Sequence, residues 1–276
     1  MRPILACHTH CYGRFGAQAA VVHVRAAGID WLELPIQTAG QPTRYGDEPL
    51  LNTAATPDDV RRVGALLHAH GVQLASCDIC TGNPVEPAIA DLICLKLDLA
   101  HSLGVQTVVG DAGDAHTEAD REQLFANLRR IGDYAARLGC IYCLDTQPGI
   151  CVNHRWMLDT MERLRHPAIR LNFDTGALLY YNDHVDGEVA LAKVCHLVRH
   201  VHLKDTSGEF GRWYFPALGA GGAVNFVRVQ QILRDVGFAG PRAIKIDGIE
   251  GAPLPDLAGC QQRLVDSLAT LRKCGF

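Results

Sequence analysis

Four strand-like segments in the second half of the chain each end in a residue able to ligate a metal. They read Ile141-Tyr-Cys-Leu-Asp145, Arg170-Leu-Asn-Phe-Asp174, Val201-His202-Leu-Lys-Asp205 and Ala243-Ile-Lys-Ile-Asp247. Several carboxylates with one imidazole make a hard donor set that suits a divalent cation such as Mn²⁺ or Mg²⁺. Gaps of about 25 to 45 residues separate the segments, room for a strand, a crossover helix and two loops. In a closed parallel barrel the C-terminal ends of all strands meet on one rim, where active sites sit. Residues distant in sequence would then surround one ion.

The elements that must position these residues are legible as alternating short and long patterns. Strands are expected at Ile4–His8, Trp31–Pro35, Gln73–Ile79, Thr107–Gly110, Ile141–Asp145, Arg170–Asp174, Val201–Lys204 and Ala243–Asp247. Helical stretches lie between them at Ala17–Ala27, Pro57–His70, Pro87–Leu103, Glu118–Leu138, Arg155–Leu164, Gly187–Val198 and Phe226–Val236, with a last one over Leu257–Lys273. Gly28, Gly71, Gly104, Gly139 and Gly237 follow helices just before the next strand, where glycine commonly ends a helix in a left-handed turn. Eight such units predict the α/β class and one (β/α)8 TIM barrel, with residues 1–276 as a single domain. The length of 276 residues is compatible with the roughly 250 typical of that fold. The irregular stretch Gly208–Gly222 follows the seventh strand on the expected active-site rim, the usual place of a lid or binding loop.

Composition narrows the classes. The net charge of −4 argues against a nucleic-acid or membrane-surface partner, because phosphate recognition needs a concentrated basic face. No apolar run approaches the ~18 residues of a membrane span, and Met1-Arg-Pro-Ile begins no signal-peptide core. A soluble cytoplasmic protein is expected. Its 11 cysteines are expected to be reduced and mostly buried. The pairs Cys77/Cys80 and Cys140/Cys143 lie in or beside apolar strand-like runs, where positions i and i+3 face opposite ways, so they read as core residues rather than zinc or redox pairs. A G-x-G-x-x-G loop is absent after the first strand, and Gly219-Ala-Gly221-Gly222 lacks the strand a dinucleotide site requires.

The same segments, taken in order, resemble the sugar isomerase/epimerase superfamily of xylose-isomerase-like barrels. His8-Thr-His10-Cys-Tyr is similar to its first strand and Gly28-Ile-Asp-Trp-Leu-Glu33-Leu to its second. Cys143-Leu-Asp145-Thr-Gln147-Pro-Gly resembles an L-E-T-H-P-G pattern, and Asn172-Phe-Asp174-Thr-Gly resembles strand six. His200-Val-His202-Leu-Lys204-Asp205 resembles strand seven, and Ile244-Lys-Ile-Asp247-Gly-Ile-Glu-Gly resembles an I-E-I-E-G pattern on strand eight.

The resemblance implies one divalent metal, Mn²⁺ foremost and Mg²⁺, Co²⁺ or Zn²⁺ otherwise, held by Asp145, Asp174, His202 and Asp247. It also implies that Asp145 and Asp247 move protons. Two departures stand out: both family glutamates are aspartates here, each about 1.5 Å shorter, and Ala177 and Gln147 occupy positions often held by His. The implied activity is isomerisation or epimerisation of a keto-sugar or cyclitol through a metal-bound enediolate. If a hydroxyl or glycoside leaves instead, the same site runs a lyase reaction, as in an inosose-dehydratase-like protein or the barrel subunit of a C-glycoside-cleaving enzyme. The shortened acids also allow a sugar-binding barrel without catalysis. His8, His10, Glu33, Asp78, Gln147, Lys204, Asp205, Arg212 and Trp213 are the candidate substrate contacts. For Glu33 a buried ion pair is the alternative; for Arg212 and Trp213 it is surface packing. The expected partner is a small sugar or cyclitol, with no nucleic acid or membrane, and a homo-oligomer is left open.

Overall fold

Parallel strands are covered on both faces, so their residues are apolar almost without interruption. Such runs make up β1 (Leu5–His8), β2 (Trp31–Pro35), β4 (Thr107–Gly110) and β5 (Ile141–Leu144), whereas β3 (Gln73–Asp78), β6 (Ile169–Asp174) and β7 (Val198–Leu203) interrupt them with polar residues such as Ser76, Asn172 and His200. In the computed structural model, which describes residues 4–276, these seven and β9 (Arg242–Ile244) close into a parallel barrel in the order β1-β2-β3-β4-β5-β6-β7-β9. Helices α1 (Gly16–His23), α2 (Pro57–Ala69), α3 (Pro87–Ser102), α4 (Glu118–Arg137), α5 (His154–Leu164), α6 (Thr175–Tyr180), α7 (Gly187–Val194), α8 (Phe226–Asp235) and α9 (Leu257–Lys273) run between and after the strands. The fold is a single (β/α)8 TIM barrel.

Local chemistry explains where these elements start and stop. Thr117 accepts the Asp120 N–H and the Asp120 carboxylate accepts the Thr117 N–H, a capping box that opens α4. Removing such a cap typically costs ~1 kcal/mol. Along α4, Leu124, Leu128, Ile131 and Ala135 are buried, the three-and-four spacing of a core-facing stripe. Gly71 ends α2 at φ 64°, and a Cβ there would press on the Arg25 guanidinium.

The structure corrects several expected boundaries. Strand β9 stops at Ile244, and the next residue, Lys245, still donates its N–H to Leu203 O at 3.0 Å. Residues Gly248–Ile249 (β10) then leave the barrel and pair antiparallel with Tyr214–Phe215 (β8). The Gly208–Gly222 stretch is therefore pinned rather than wholly irregular; a two-residue strand paired across the barrel rim carries no local pattern. Strand β7 begins at Val198, because the end of the preceding helix tightens into a 3₁₀ turn over Cys195–Leu197. Helix α6 starts directly at the end of β6: Asp174 accepts the N–H groups of Gly176 at 3.0 Å and Ala177 at 2.8 Å. The cysteines are free and mostly buried.

Candidate active site

TIM-barrel lumens are usually filled by branched apolar side chains; here a chain of polar groups runs up the centre. Ser76 (β3) lies 3.0 Å from His200 Nε2, and His200 Nδ1 lies 2.8 Å from Asn172 Oδ1. The Asn172 amide nitrogen donates to Asp145 Oδ1 at 2.5 Å and sits 2.9 Å from His202 Nδ1. His202 Nε2 is 3.1 Å from both oxygens of Glu33 (β2). Glu33, Asn172, His200 and His202 are all fully buried. Strands far apart in sequence are tied together by hydrogen bonds that leave few orphans, as burial demands.

Above this column a cavity of about 230 Å³ opens at the C-terminal rim, lined by Asp145, Asp174, Lys204, Lys245, Arg44 and Trp213 among others. A larger cleft of about 1040 Å³ adjoins it and shares the walls Tyr180 and Trp213. Lys204 Nζ contacts Asp247 Oδ2 and lies 4.0 Å from Asp174 Oδ2. The Asp247 contact is one of charge, without aligned hydrogen-bond geometry. Arg44 reaches within 3.9 Å of Asp247 and lies over the Trp213 ring at 4.7 Å.

This arrangement moves the proton affinities of its members apart. Burial and Lys245 work against a charge on His202, but Glu33 and Asp174 outweigh them and hold its imidazole up at about 10. Burial would raise Glu33, yet the two histidines beside it keep it well below the usual carboxylate range. Burial also opposes charge on Asp174 and Asp247, and Lys204 prevails at both: Asp174 falls to about 2 and Asp247 well below its ordinary value. At Asp145 burial prevails over Lys245 and His202, and its proton affinity is raised. Lys245 is held well above its ordinary value: burial opposes, and Asp145, Asp247, Asp78 and Asp174 win. A carboxylate pair pushed in opposite directions, Asp145 up and Asp247 down, is the pattern of one group suited to taking up a proton and one that stays ionised.

The two lumen histidines set a stability profile. Burial depresses His200 from 6.5 to about 4, so it folds neutral. Between those values the unfolded chain binds the extra proton, and stability falls as pH drops from 6.5 towards 4. His202, raised to about 10, folds charged; above 6.5 the unfolded chain sheds that proton, and stability falls as pH climbs towards 10. Urea unfolding across pH 4–10 is expected to peak near pH 6.5. A free energy that keeps rising to pH 9 would contradict the His202 assignment.

The sequence-predicted residues divide into three groups. Asp145, Asp174, Lys204, Gln147 and Trp213 gather at the rim cavity, with Asp247 against Lys204, His202 in the buried column just beneath, and Gln147 donating to Asp111 Oδ1 at 3.3 Å. His8 and Asp78 pair at 3.2 Å, and Glu33 lies below the cavity as a buried ion-pair partner; His10 faces the larger cleft. Asp205 and Arg212 lie apart from the cavity. Asp205 is buried and accepts the N–H groups of Thr206, Gly219 and Val224 at 2.9–3.2 Å, stapling the β7–α8 loop. Arg212 is exposed and pairs with Glu209. Sequence reasoning passed over Lys245, Arg44, Cys80 and Asp111, which all line the cavity. Lys245 had a signal, since it shares the inward parity of Asp247 two residues on; Arg44 sits in an irregular loop and had none. Cys80, expected in the core, instead borders the cavity.

The four groups expected to ligate a metal are already engaged. Both ring nitrogens of His202 face partners, Asp174 caps α6, Asp247 meets Lys204, and Asp145 accepts from Asn172. His8, Glu33 and His202 do bring ligand atoms within 4.8 Å of one another, but an ion there would displace the His202–Glu33 bonds. A dication about 4 Å from an ammonium is repelled by roughly 8 kcal/mol at an effective dielectric near 20, and two ammonium groups line this cavity. As folded, the predicted donor set is an ion-pair network and does not fit a divalent ion.

A family model described as xylose isomerase-like TIM barrel matches residues 21–267. Inosose dehydratase of Clostridium botulinum (strain Alaska E43 / Type E3) is 26% identical over 173 residues, 55% of this chain and 57% of that protein, so the match spans little more than half of the relative. D-psicose 3-epimerase with D-tagatose from Clostridium cellulolyticum H10 superposes with a TM-score of 0.75 at 14% identity, covering 98% of each chain. A xylose isomerase-like TIM barrel protein from Mycobacterium smegmatis, in complex with magnesium, does so with a TM-score of 0.75 at 18% identity, covering 99% of this chain and 97% of that one. At such identities the structural likenesses bear on the fold. No helix of the described residues is long and apolar enough to cross a membrane.

Proposed function

This chain belongs to the xylose isomerase-like TIM barrel family, and from that premise we propose that it is an enzyme moving a proton at the carbon beside the carbonyl of a small keto-sugar or cyclitol. The observation that carries this reading is the cavity itself: Asp145, with raised proton affinity, shares about 230 Å³ with the ammonium groups of Lys204 and Lys245. That volume lies below the 300–1,000 Å³ of sites for drug-sized ligands, which favours one small polar substrate. Trp213 and Tyr180 supply the flat walls on which a sugar ring packs.

The chemistry follows from those groups. The Asp145 carboxylate removes the proton from the carbon next to the carbonyl, and the C–H electrons pass through the new C=C bond onto the carbonyl oxygen. The ammonium groups facing the cavity oppose the negative charge that develops there. Return of a proton from Asp145 to the former carbonyl carbon, with the hydroxyl proton of the first carbon passing to the old carbonyl oxygen, gives isomerisation. Epimerisation needs a second acid on the other face, and Asp247, expected in that role, is held ionised by Lys204. If a hydroxyl leaves from the next carbon, the proton on Asp145 completes a water and the reaction is a dehydration. The likeness to an inosose dehydratase favours this second reading.

The test is solvent exchange. The protein is incubated in D₂O with D-fructose, D-tagatose, D-psicose or an inosose, with and without MnCl₂, and followed by NMR. Deuterium entering beside the carbonyl supports the proposal, and loss of water from the inosose selects the dehydratase form. Binding of these compounds with no exchange and no product would leave a sugar-binding barrel without catalysis.

A further inference from the structure

Lys245 is one of the rim residues that no expectation covered. It stands at the first position after β9, is 8% exposed, and its side chain lines the same cavity as Asp145, Asp174 and Lys204. Among the described residues its ammonium has no carboxylate within 4.0 Å, whereas the Lys204 ammonium touches Asp247 and approaches Asp174. Lys245 thus presents a buried positive charge with no direct partner to the cavity, among acids that the resemblance would give to a metal. In the I-E-I-E-G pattern that residues 244–248 resemble, the position of Lys245 is a glutamate.

We propose that Lys245, with Lys204, takes the electrostatic place of the divalent ion, so that this chain holds its substrate oxygen with ammonium donors and carries no resident metal. The geometry supports this in three ways. A carboxylate at position 245 would add a hard donor to the rim, and a lysine adds a repelling charge instead. Lys204 occupies Asp247, one of the four expected ligands. His202, the expected imidazole ligand, spends Nε2 on Glu33 and has Nδ1 against Asn172. The Lys245 ammonium, with no carboxylate in direct contact, keeps N–H donors free for a ligand acceptor, and an oxygen-rich substrate supplies one. The replacement of the metal stands on the side chains alone; the role at a substrate oxygen rests on the sugar reading above.

The experiment reads metal rather than turnover, so its failure is distinct from that of the proposed activity. Wild type, K245E and K245M are incubated with MnCl₂ and desalted, and Mn per chain is measured by elemental mass spectrometry, with circular dichroism as the check on folding. Wild type and K245M are expected to retain under about 0.1 Mn per chain, and K245E to retain close to one. A wild type that keeps near-stoichiometric Mn²⁺ would overturn the proposal, and that arm stands even if K245E does not fold. A folded K245E that binds no more Mn²⁺ than wild type would equally overturn it, because Lys245 would not be what excludes the ion.

Discussion

Asp145→Asn lowers kcat on the identified substrate by more than about 10²-fold, with a melting temperature close to wild type. The size of the loss follows from removing a cavity-lining carboxylate whose proton affinity is raised, since a positioned general base contributes about 10²–10⁴-fold. The mild structural effect follows from its contacts. Asp145 Oδ1 accepts the Asn172 amide at 2.5 Å and the Thr146 N–H at 2.9 Å, and an asparagine carbonyl oxygen can accept both. KM is expected to move less than kcat, because the contribution lost is made in the transition state. Asp247→Asn provides the contrast. It leaves Lys204 without its countercharge, so its effect should fall on substrate binding and stability together. Retention of wild-type kcat within about threefold in Asp145→Asn would remove this residue from the chemistry and with it the proton-transfer route.

Glu33→Ala should be the most destabilising single change in the lumen. Glu33 is fully buried, with both oxygens 3.1 Å from His202 Nε2 and one 3.4 Å from His200 Nε2. Removing one member of a buried pair leaves the other charged and unmatched, at a cost of about 3–5 kcal/mol. For a chain of this size that lowers the melting temperature by on the order of 10 °C. The Glu33→Ala/His202→Phe double variant separates charge from packing: if the cost is an unpaired imidazolium, the pair loses less than the sum of the single changes. Strict additivity in thermal or urea unfolding would mean that the two side chains are not coupled and that the network reading is mistaken.

The ends of β5 and β6 show what is readable along the chain. An apolar run closing on Asp145 or Asp174 already marks a strand that delivers a carboxylate to the rim. The alternation of such runs with amphipathic stretches such as α4 implies a barrel because each signal arises within a few neighbouring residues. The two-residue strands β8 and β10 escaped notice for the opposite reason, since their pairing joins segments that no local pattern relates. Helix α6 escaped because Asp174 both ends a strand and caps the helix, leaving no loop between them to mark the boundary.

By itself the sequence determined that several strand-end acids would arrive at one end of a barrel, through strand period and glycine punctuation that act over short range. Which charge meets which was decided only by closure of the barrel. Glu33 and His202, 169 residues apart, become partners because β2 and β7 face each other across the lumen. Lys204 claims Asp247, and Lys245 stands among the aspartates because β7 and β9 pair in one register. Coulomb energies in a buried cavity depend on separations of a few ångströms. Those separations, which turn a set of metal ligands into a network of ion pairs, are properties of the tertiary structure.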